Sequence, residues 1–472
     1  MNLARRIVKN FFSLTTSYVF TGVIGFLATI YLAQTLGASD FGKVSFAYSF
    51  LVYFMVLANP GLDRLGIKML ARDHRELKRA GTIISLRILL AVFWFAVLAG
   101  ITVILPKETD VKLLIILYGL TLFPYAFLLE WIFQGIEKMG FISISRTVDK
   151  SVYFLLIIMF VAGSRQLFFV PLFWLAGTSA ACLLLLIVSL VKYGGFRLTW
   201  KPAEFKKLLL QAIPIGGSYI VIQLFFHFDI IMIGFFKTDA QVGVYRAASK
   251  IIQLVLPWFN IFFVAIFPII VRLFKESGEK TKKLFGAILK YLIIICFPII
   301  TVGTFAAGPI IGFLYGAEYL GGRLVFRILL WTIAFFILSY SFMSLLLAGD
   351  RDKKLFLSMA SGTAANIIFN LVLIPLFGIN GAAGATVIGS MVMLGVLYFQ
   401  SVKLMKIPFF HHIPVPFLCF MITALGIYFM HIRDILLIIL IGIIAYFCLI
   451  FLFRCITMKE LKEIKAQFSG RK

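Results

Sequence analysis

Four ionisable residues interrupt two long apolar stretches near the middle of the chain. His227 and Asp229 lie in the first stretch, Arg246 and Lys250 lie in the second, and a short polar link over 237–242 joins the two. Each stretch is long enough to cross a bilayer. Ionisable side chains at membrane depth are costly unless they face a protein interior or a water-filled cavity, so these four mark a candidate functional site.

The spacing of these residues predicts that they meet. Arg246 and Lys250 are four residues apart and therefore share one helix face. Asp229 precedes the link by about eight residues and Lys250 follows it by about eight, which places both roughly 12 Å deep in an antiparallel hairpin. One interpretation is a charged wall of a central cavity, and the other is a single ion pair that fixes helix register. His227 is expected to be an interior, hydrogen-bonded residue.

The composition indicates an integral membrane protein with many spans. Of the 472 residues, 62% are hydrophobic and only 14% are charged, and the mean hydropathy is +1.03. The five cysteines lie inside or beside apolar runs without a CxxC pair, so we expect packing roles and no metal or other cofactor. No connection is long enough for a soluble catalytic domain.

The apolar runs and the basic residues together predict the topology. The fourteen runs cover roughly 11–36, 44–62, 81–105, 111–133, 145–163, 168–191, 208–236, 243–271, 285–314, 324–347, 355–377, 381–402, 413–430 and 435–456. With the N-terminus inside, 35 of the 45 basic residues fall on the inner side. This positive-inside pattern predicts a cell-membrane protein with both termini in the cytoplasm. The net charge of +25 is therefore a topology signal and predicts no nucleic-acid partner.

A weak internal repeat predicts two pseudo-symmetric lobes. Segment 32–50 aligns with 234–251 at an offset of 201, matching Gly42 to Gly243, and segment 135–161 aligns with 349–375 at an offset of 214. Such parallel repeats enclose a central cavity. The predicted parts are the six-helix lobes 1–200 and 201–408, a peripheral transmembrane hairpin 409–457 and a basic cytoplasmic tail 458–472.

Short glycine and small-residue motifs carry a family resemblance across essentially the whole chain. They are Leu32-Ala-Gln-Thr-Leu-Gly37, Asp229-x4-Gly234, Val242-Gly-Val-Tyr245 followed by Ala247-Ala248, and Gly378-Ile-Asn-Gly381-Ala-Ala-Gly384-Ala. With the arrangement of six, six and two spans, the chain resembles the Wzx-type flippases of O-antigen and other polysaccharide repeat units, in the multidrug, oligosaccharidyl-lipid and polysaccharide exporter superfamily. Gln34 departs from the pattern, since similar proteins often carry Arg or Lys there.

The resemblance implies an all-α transporter, not an enzyme, with the fold of the multidrug exporters. It implies that undecaprenyl diphosphate, or another polyprenyl diphosphate, carrying an oligosaccharide moves from the cytoplasmic to the outer leaflet by alternating access. A charged headgroup that enters hydrocarbon loses its hydration at prohibitive cost, and a cationic, water-filled cavity replaces that hydration. Membrane lipids are expected partners, and coupling to H⁺ or Na⁺ is open.

The candidate cavity residues follow from these expectations. We expect Arg246 and Lys250 to attract the diphosphate and Asp229 to pair with one of them or to serve as the coupling-ion site. Arg64, Lys68 and Arg87 are candidates for headgroup entry or else anchor the topology. Arg146 is a further candidate, although a local network with Asp149 and Lys150 explains it nearly as well.

Several alternatives stay open from sequence alone. A multidrug or toxic-cation exporter of the same superfamily would favour acidic and aromatic lining, whereas the charges within these spans are mainly basic. A flippase for the peptidoglycan precursor differs only in headgroup. A membrane glycosyltransferase or polymerase would generally need a sizeable outer loop, which this chain lacks.

Overall fold

The structure is a computed structural model that describes residues 3–73, 80–194, 197–407, 409–431 and 434–456, with side chains from residue 13 onward. All regular secondary structure in these residues is helical. The predicted basic tail 458–472 lies outside the described residues, as do the side chains of the basic N-terminal flank.

The helices follow the apolar runs. In chain order they are α1 (Leu3–Ala58), α2 (Leu62–Arg72), α3 (Ala80–Ile104), α4 (Thr109–Gly119), α5 (Leu122–Ala126), α6 (Glu130–Gly135), α7 (Met139–Phe160), α8 (Phe169–Tyr193), α9 (Pro202–Phe236), α10 (Asp239–Glu276), α11 (Gly278–Phe305), α12 (Ala307–Tyr315), α13 (Arg323–Ala348), α14 (Asp352–Val402), α15 (Pro414–Met430) and α16 (Ile435–Leu452). Short 3₁₀ segments cover Ser164–Gln166, Ala317–Gly322 and Phe410–His412.

Two of these helices each contain two predicted spans. Helix α1 bends at Gly37, where φ is 75°, and α14 bends at Gly378, where φ is 59°. Glycine adopts this left-handed conformation readily because it has no Cβ. The sequence motifs that end in Gly37 and begin at Gly378 therefore mark true boundaries between spans.

The predicted all-α fold with about fourteen spans is confirmed. Eleven helical segments of the described residues are long and apolar enough to cross a membrane. Two of them are the double-length helices α1 and α14, and α7 is not among the eleven because it carries Arg146, Asp149 and Lys150. Counting α1 and α14 twice and adding α7 gives the expected fourteen.

The chain divides into two compact units. Unit 1 comprises the chain up to Lys250 together with Ile367–Ala382, and unit 2 comprises Ile251–Asn366 and the chain from Ala383 onward. This division groups residues by proximity and is not a test of the sequence repeat. The lobes 1–200 and 201–408 therefore stay a prediction.

Span four differs from its sequence-based prediction. The single run expected over 111–133 is divided into α4, α5 and α6. Pro124 lies inside α5, just after the first break, since proline has no backbone N–H with which to continue the hydrogen bonds of α4. A second break, over 127–129, separates α5 from α6. Such a break frees backbone carbonyls, and those within a membrane need another donor.

Arg87 of α3 supplies those donors. Its guanidinium donates to the carbonyl oxygens of Tyr125 at 2.6 Å and Leu128 at 3.0 Å, and it pairs with Asp63 Oδ1 at 2.9 Å. Asn59 orients the same carboxylate through a 2.7 Å bond from Nδ2 to Oδ2. The Arg87 side chain is 1% exposed. Arg87 thus holds the broken span, α3 and the start of α2 together.

Backbone contacts through glycine bring α1 close to α10 in unit 1. A Cβ on Gly42 would overlap the backbone of Asp239 and Gly243, and a Cβ on Gly243 would overlap the carbonyl of Ala38. Gly42 and Gly243 are the positions that the internal repeat matches to each other. Lys107 reinforces this contact through an ion pair with Asp239 at 3.2 Å.

In unit 2, α11 packs against α13, α15 and α16. The predicted hairpin 409–457 contains α15 and α16, and Gly442 of α16 lies against Val302 of α11. Beside them is an apolar cavity of about 410 Å³ whose lining is rich in aromatic residues, including Phe297, Trp331 and Tyr398.

Replacing Arg87 by leucine should strongly destabilise the protein. The change takes a donor from two enclosed backbone carbonyls and the cation from Asp63, which is 34% exposed. Leaving a buried polar group without its partner costs about 1–3 kcal/mol. Thermal unfolding of the purified protein in detergent should show a Tm several degrees lower than wild type. Arg165→Leu, at an exposed position, serves as the control. A wild-type Tm for Arg87→Leu would contradict this role.

Adding a methyl group at Gly42 should disturb the contact between α1 and α10. We expect Gly42→Ala to cost about 1–3 kcal/mol through overpacking, measured as a loss of thermal stability. The matched variant Gly100→Ala places its Cβ where nothing lies within 4 Å, so it should be neutral or stabilise by up to about 1 kcal/mol. Equal stability of the two variants would show that the close contact at Gly42 is not required.

Candidate functional site

A cavity of about 250 Å³ lies within unit 1. Five helices contribute to its wall, namely α1, α4, α7, α8 and α10. The lining residues are Thr21, Gly22, Gly25, Thr29, Leu32, Phe41, Val44, Ser45, Tyr48, Tyr118, Lys150, Tyr153, Trp174, Arg246 and Lys250. The wall therefore combines cations, hydroxyl groups and aromatic rings.

Three cations share this cavity. Arg246 and Lys250 come from one face of α10, as their spacing predicted, and Lys150 comes from α7. The Arg246 side chain is 7% exposed. Like charges in a poorly hydrated site repel one another, so an anion that enters the cavity gains attraction from all three.

Lys150 is held by two neighbours. Its Nζ lies 3.1 Å from Asp149 Oδ2 and 3.6 Å from the ring centroid of Trp174. Gly177 explains the second contact, because α7 and α8 approach so closely there that a Cβ would overlap the Asp149 carbonyl. Trp174 lies one helical turn before Gly177 on the same face, which places its ring beside Lys150.

The aromatic part of the wall surrounds Trp174. The ring centroids of Tyr48 and Tyr153 each lie 5.0 Å from that of Trp174, in edge-to-face geometry. Tyr118 packs edge-on against Tyr48 at 5.8 Å. Edge-to-face pairs of this kind fix the rings relative to one another.

Small and hydroxyl residues of α1 form another part of the wall. Thr21, Gly25 and Thr29 recur every four residues and therefore share one helix face. Thr21 Oγ1 donates to the Ser17 carbonyl and Thr29 Oγ1 to the Gly25 carbonyl, each at 2.8 Å. Since both hydroxyl hydrogens are used within the helix, the hydroxyl oxygens are acceptors toward the cavity. A Cβ added to Gly25 would meet nothing within 4 Å.

Asp229 is 4% exposed and lies in a hydrogen-bonded cluster of unit 1. Its Oδ2 accepts a bond from Tyr245 Oη at 2.5 Å, and its Oδ1 accepts one from Asn370 Nδ2 at 2.7 Å. Tyr245 directly precedes Arg246 on α10, so the carboxylate is linked through one residue to the cationic wall. The predicted pairing of Asp229 with Arg246 or Lys250 stays a prediction.

His227 is an interior residue, as expected, with 9% of its surface exposed. Its ring centroid lies 6.1 Å from that of Tyr48, a cavity residue. Its Nδ1 is buried and has no hydrogen-bond partner among the residues that the structure describes.

The other predicted site residues lie elsewhere. Arg64 and Lys68 are exposed on α2, and Arg87 is enclosed at the break in span four. Arg146 makes a bidentate ion pair with Glu130, with Nε–Oε1 and Nη2–Oε2 distances of 2.9 and 2.6 Å. Within the described part of the chain, none of these four lines the cavity. Roles for them at other points of the substrate path stay predictions.

Sequence reasoning missed several cavity residues. The sequence accounts for Lys150 by a local charge network, and it contains no pattern that singles out Trp174, Tyr48 or Tyr153. The i,i+3 spacing of Lys150 and Tyr153 shows only that they share a face of α7. The contact of this face with α8 and α1 depends on tertiary packing, which no local sequence pattern reveals.

The comparisons with known proteins agree with this architecture. Residues 7–274 match the family model described as polysaccharide biosynthesis protein. A putative O-antigen transporter of Shigella dysenteriae is 21% identical over 386 residues, which cover 80% of this chain and 95% of that protein.

Two solved structures share the fold. The lipid II flippase MurJ in an inward closed conformation aligns with a TM-score of 0.77 and 16% identity, covering 93% of this chain and 98% of that one. An inward-facing multidrug resistance transporter of the MATE family, in the MOP superfamily, aligns with a TM-score of 0.67 and 15% identity, covering 81% and 94%. At these identities the alignments show the fold alone.

The match of the family model extends over more than half of the chain, from the first predicted span to the end of the predicted central hairpin. It contains the whole cationic cavity, the buried Asp229 and the glycine contact between α1 and α10. The resemblance inferred from the motifs is thus confirmed, and the chain belongs to the polysaccharide biosynthesis protein family.

Proposed function

We propose that this protein is a flippase that moves a polyprenyl-diphosphate-linked oligosaccharide, such as one on undecaprenyl diphosphate, from the cytoplasmic to the outer leaflet. The observation that carries the proposal is the cavity in unit 1, where Lys150, Arg246 and Lys250 meet hydroxyl and aromatic groups. An exporter fold supplies the route, and the cations supply the affinity for the charged part of the substrate.

The chemistry of the cavity fits a diphosphate. Arginine offers a planar fork that bonds two phosphate oxygens, whereas lysine offers a mobile point charge. Arg246 and Lys250 would hold the diphosphate from α10, and Lys150 would reach it from α7. These interactions replace the hydration that the headgroup loses, while the polyprenyl chain stays in lipid.

The relatives support the same substrate class. One relative is named a putative O-antigen transporter, and a protein with the same fold is a lipid II flippase. A peptidoglycan-precursor flippase is the alternative that the cavity also accommodates, because a diphosphate lipid is common to both proposals. Export of toxic cations is less compatible with this site, since three cations in one cavity repel a cationic drug.

The orientation belongs to the same proposal. The distribution of 35 of the 45 basic residues to one side supports a cell-membrane location with both termini in the cytoplasm. In this orientation Arg64 and Lys68 lie near the cytoplasmic end of span two, where they could contact the headgroup as it enters.

We further propose that Asp229 couples transport to an H⁺ or Na⁺ gradient. A buried carboxylate held by Tyr245 and Asn370 can exchange between a charged and a neutralised form. Tyr245 and Arg246 are consecutive residues of α10, so a change in the Asp229–Tyr245 bond that moves α10 would also move Arg246. The two ions are to be distinguished by experiment.

Loss of either cation of α10 should weaken binding of the diphosphate. We expect Arg246→Ala and Lys250→Ala to raise the Kd for undecaprenyl diphosphate about 10- to 100-fold, because each removes a charge-assisted bond. Binding is measured with the purified protein in nanodiscs. Arg165→Ala, at an exposed position that does not line the cavity, should bind like wild type. Unchanged Kd values for both α10 variants would contradict the proposed site.

Neutralising Asp229 should uncouple transport from the H⁺ or Na⁺ gradient that drives it. In vesicles, Asp229→Asn should lose the acceleration that an inward H⁺ or Na⁺ gradient gives to wild type, a factor of about ten for a typical coupling energy. Tyr245→Phe keeps the carboxylate but removes one hydrogen bond, so it should retain part of the acceleration. A full gradient response in Asp229→Asn would exclude Asp229 as the coupling site.

A further inference from the structure

The Trp174 ring has two kinds of neighbour, a cation and two other aromatic rings. The ammonium group of Lys150 lies over the ring at 3.6 Å from its centroid, while Tyr48 and Tyr153 approach the ring in edge-to-face geometry. All four residues line the cavity. Trp174 is therefore a rigidly held aromatic surface partly covered by a mobile cation.

A phosphate group competes for that cation. The attraction of an ammonium for an aromatic face is weaker than a charge-assisted hydrogen bond to a phosphate oxygen. Lysine has a flexible four-carbon stem, so Lys150 can turn from the ring to an anion between itself and α10. Asp149, its other partner, is the adjacent residue of α7, so the phosphate also competes with this 3.1 Å ion pair.

We propose that Trp174, with Tyr48 and Tyr153, forms a sugar-stacking subsite next to the diphosphate site, and that Lys150 uncovers Trp174 when it moves onto a phosphate oxygen. This inference rests on the proposed function and specifies how the same cavity recognises the first sugar of the substrate. Lys150 thereby links the arrival of the diphosphate to the exposure of the sugar-binding surface.

The remaining wall and the size of the cavity fit a single sugar. A sugar ring has apolar C–H faces that suit an aromatic surface and hydroxyl edges that need polar partners. The oxygens of Thr21 and Thr29 are acceptors for such hydroxyls. The volume of about 250 Å³ is below the roughly 300–1,000 Å³ of sites that enclose a drug-sized ligand. The cavity is therefore too small to enclose a whole oligosaccharide, and we expect only the sugar attached to the diphosphate to lie against Trp174.

The test compares two probes on the purified full-length protein in nanodiscs, namely undecaprenyl diphosphate and undecaprenyl diphosphate carrying one N-acetylhexosamine. Wild type should bind the sugar-bearing probe about tenfold more tightly, as expected for one aromatic contact of modest strength. In Trp174→Leu the ratio of the two Kd values should fall below about twofold. Trp174→Phe keeps a ring and should retain most of the ratio, and Trp200→Leu, at an exposed tryptophan, should retain all of it.

The variant Lys150→Met distinguishes the phosphate contact of Lys150 from the sugar contact of Trp174. Both probes should bind about tenfold more weakly, because one cation is lost, but the ratio of their Kd values should persist since Trp174 stays uncovered. The emission of Trp174, obtained as the difference between wild type and Trp174→Phe, should change when undecaprenyl diphosphate binds.

The outcomes also distinguish this inference from the proposed function. If wild type binds both probes equally, or if Trp174→Leu keeps the wild-type ratio, the sugar subsite is wrong while the diphosphate site stands. If wild type binds neither probe, the proposed function fails and the sugar subsite fails with it.

Discussion

The cost of placing charged groups in a membrane governs this structure. A span can carry an ionised side chain only where a partner, freed backbone groups or a polar cavity compensate for lost hydration. Arg87 and Arg146 show the first solution, because each guanidinium is matched by a carboxylate. Lys150, Arg246 and Lys250 show the second, because they gather around one cavity. The charges of unit 1 thus divide into those paired away from the cavity and those that line it, and among the latter Lys150 also contacts Asp149.

Breaks, bends and close glycine contacts in the helices determine where these charged side chains lie. The break between α5 and α6 presents the carbonyls to which Arg87 donates, and the bend at Gly37 turns α1 so that both of its halves reach the cavity. Glycine contacts then set the helix separations. At Gly177 the approach of α8 to α7 brings Trp174 onto Lys150. Residues without functional side chains therefore determine which side chains line the cavity.

The sequence predicted the fold and one wall of the site, for reasons that are local. Apolar runs, Gly37 and Gly378 indicate the spans, and the i,i+4 spacing of Arg246 and Lys250 indicates a shared face. The bonds that bring Arg87 to Asp63 and Arg146 to Glu130 join residues far apart in the chain, so charge alone made Arg87 and Arg146 look like binding residues. The sequence does not show that Lys150 belongs to the site for the same reason, since its contact with Trp174 depends on how α7 packs against α8. Periodicity identifies faces of helices, and only packing shows what those faces meet.

Headgroup translocation in proteoliposomes tests the central claim most directly. Undecaprenyl-diphosphate oligosaccharide is placed in the bilayer, and its accessibility to an impermeant sugar-cleaving enzyme is followed over time with wild type and with the double variant Arg246→Ala, Lys250→Ala. The account predicts flipping that depends on wild-type protein and collapses in the double variant at equal protein content. Flipping at the wild-type rate in the double variant would contradict the cationic site. Export of a cationic dye without movement of any lipid-linked sugar would contradict the proposed function itself.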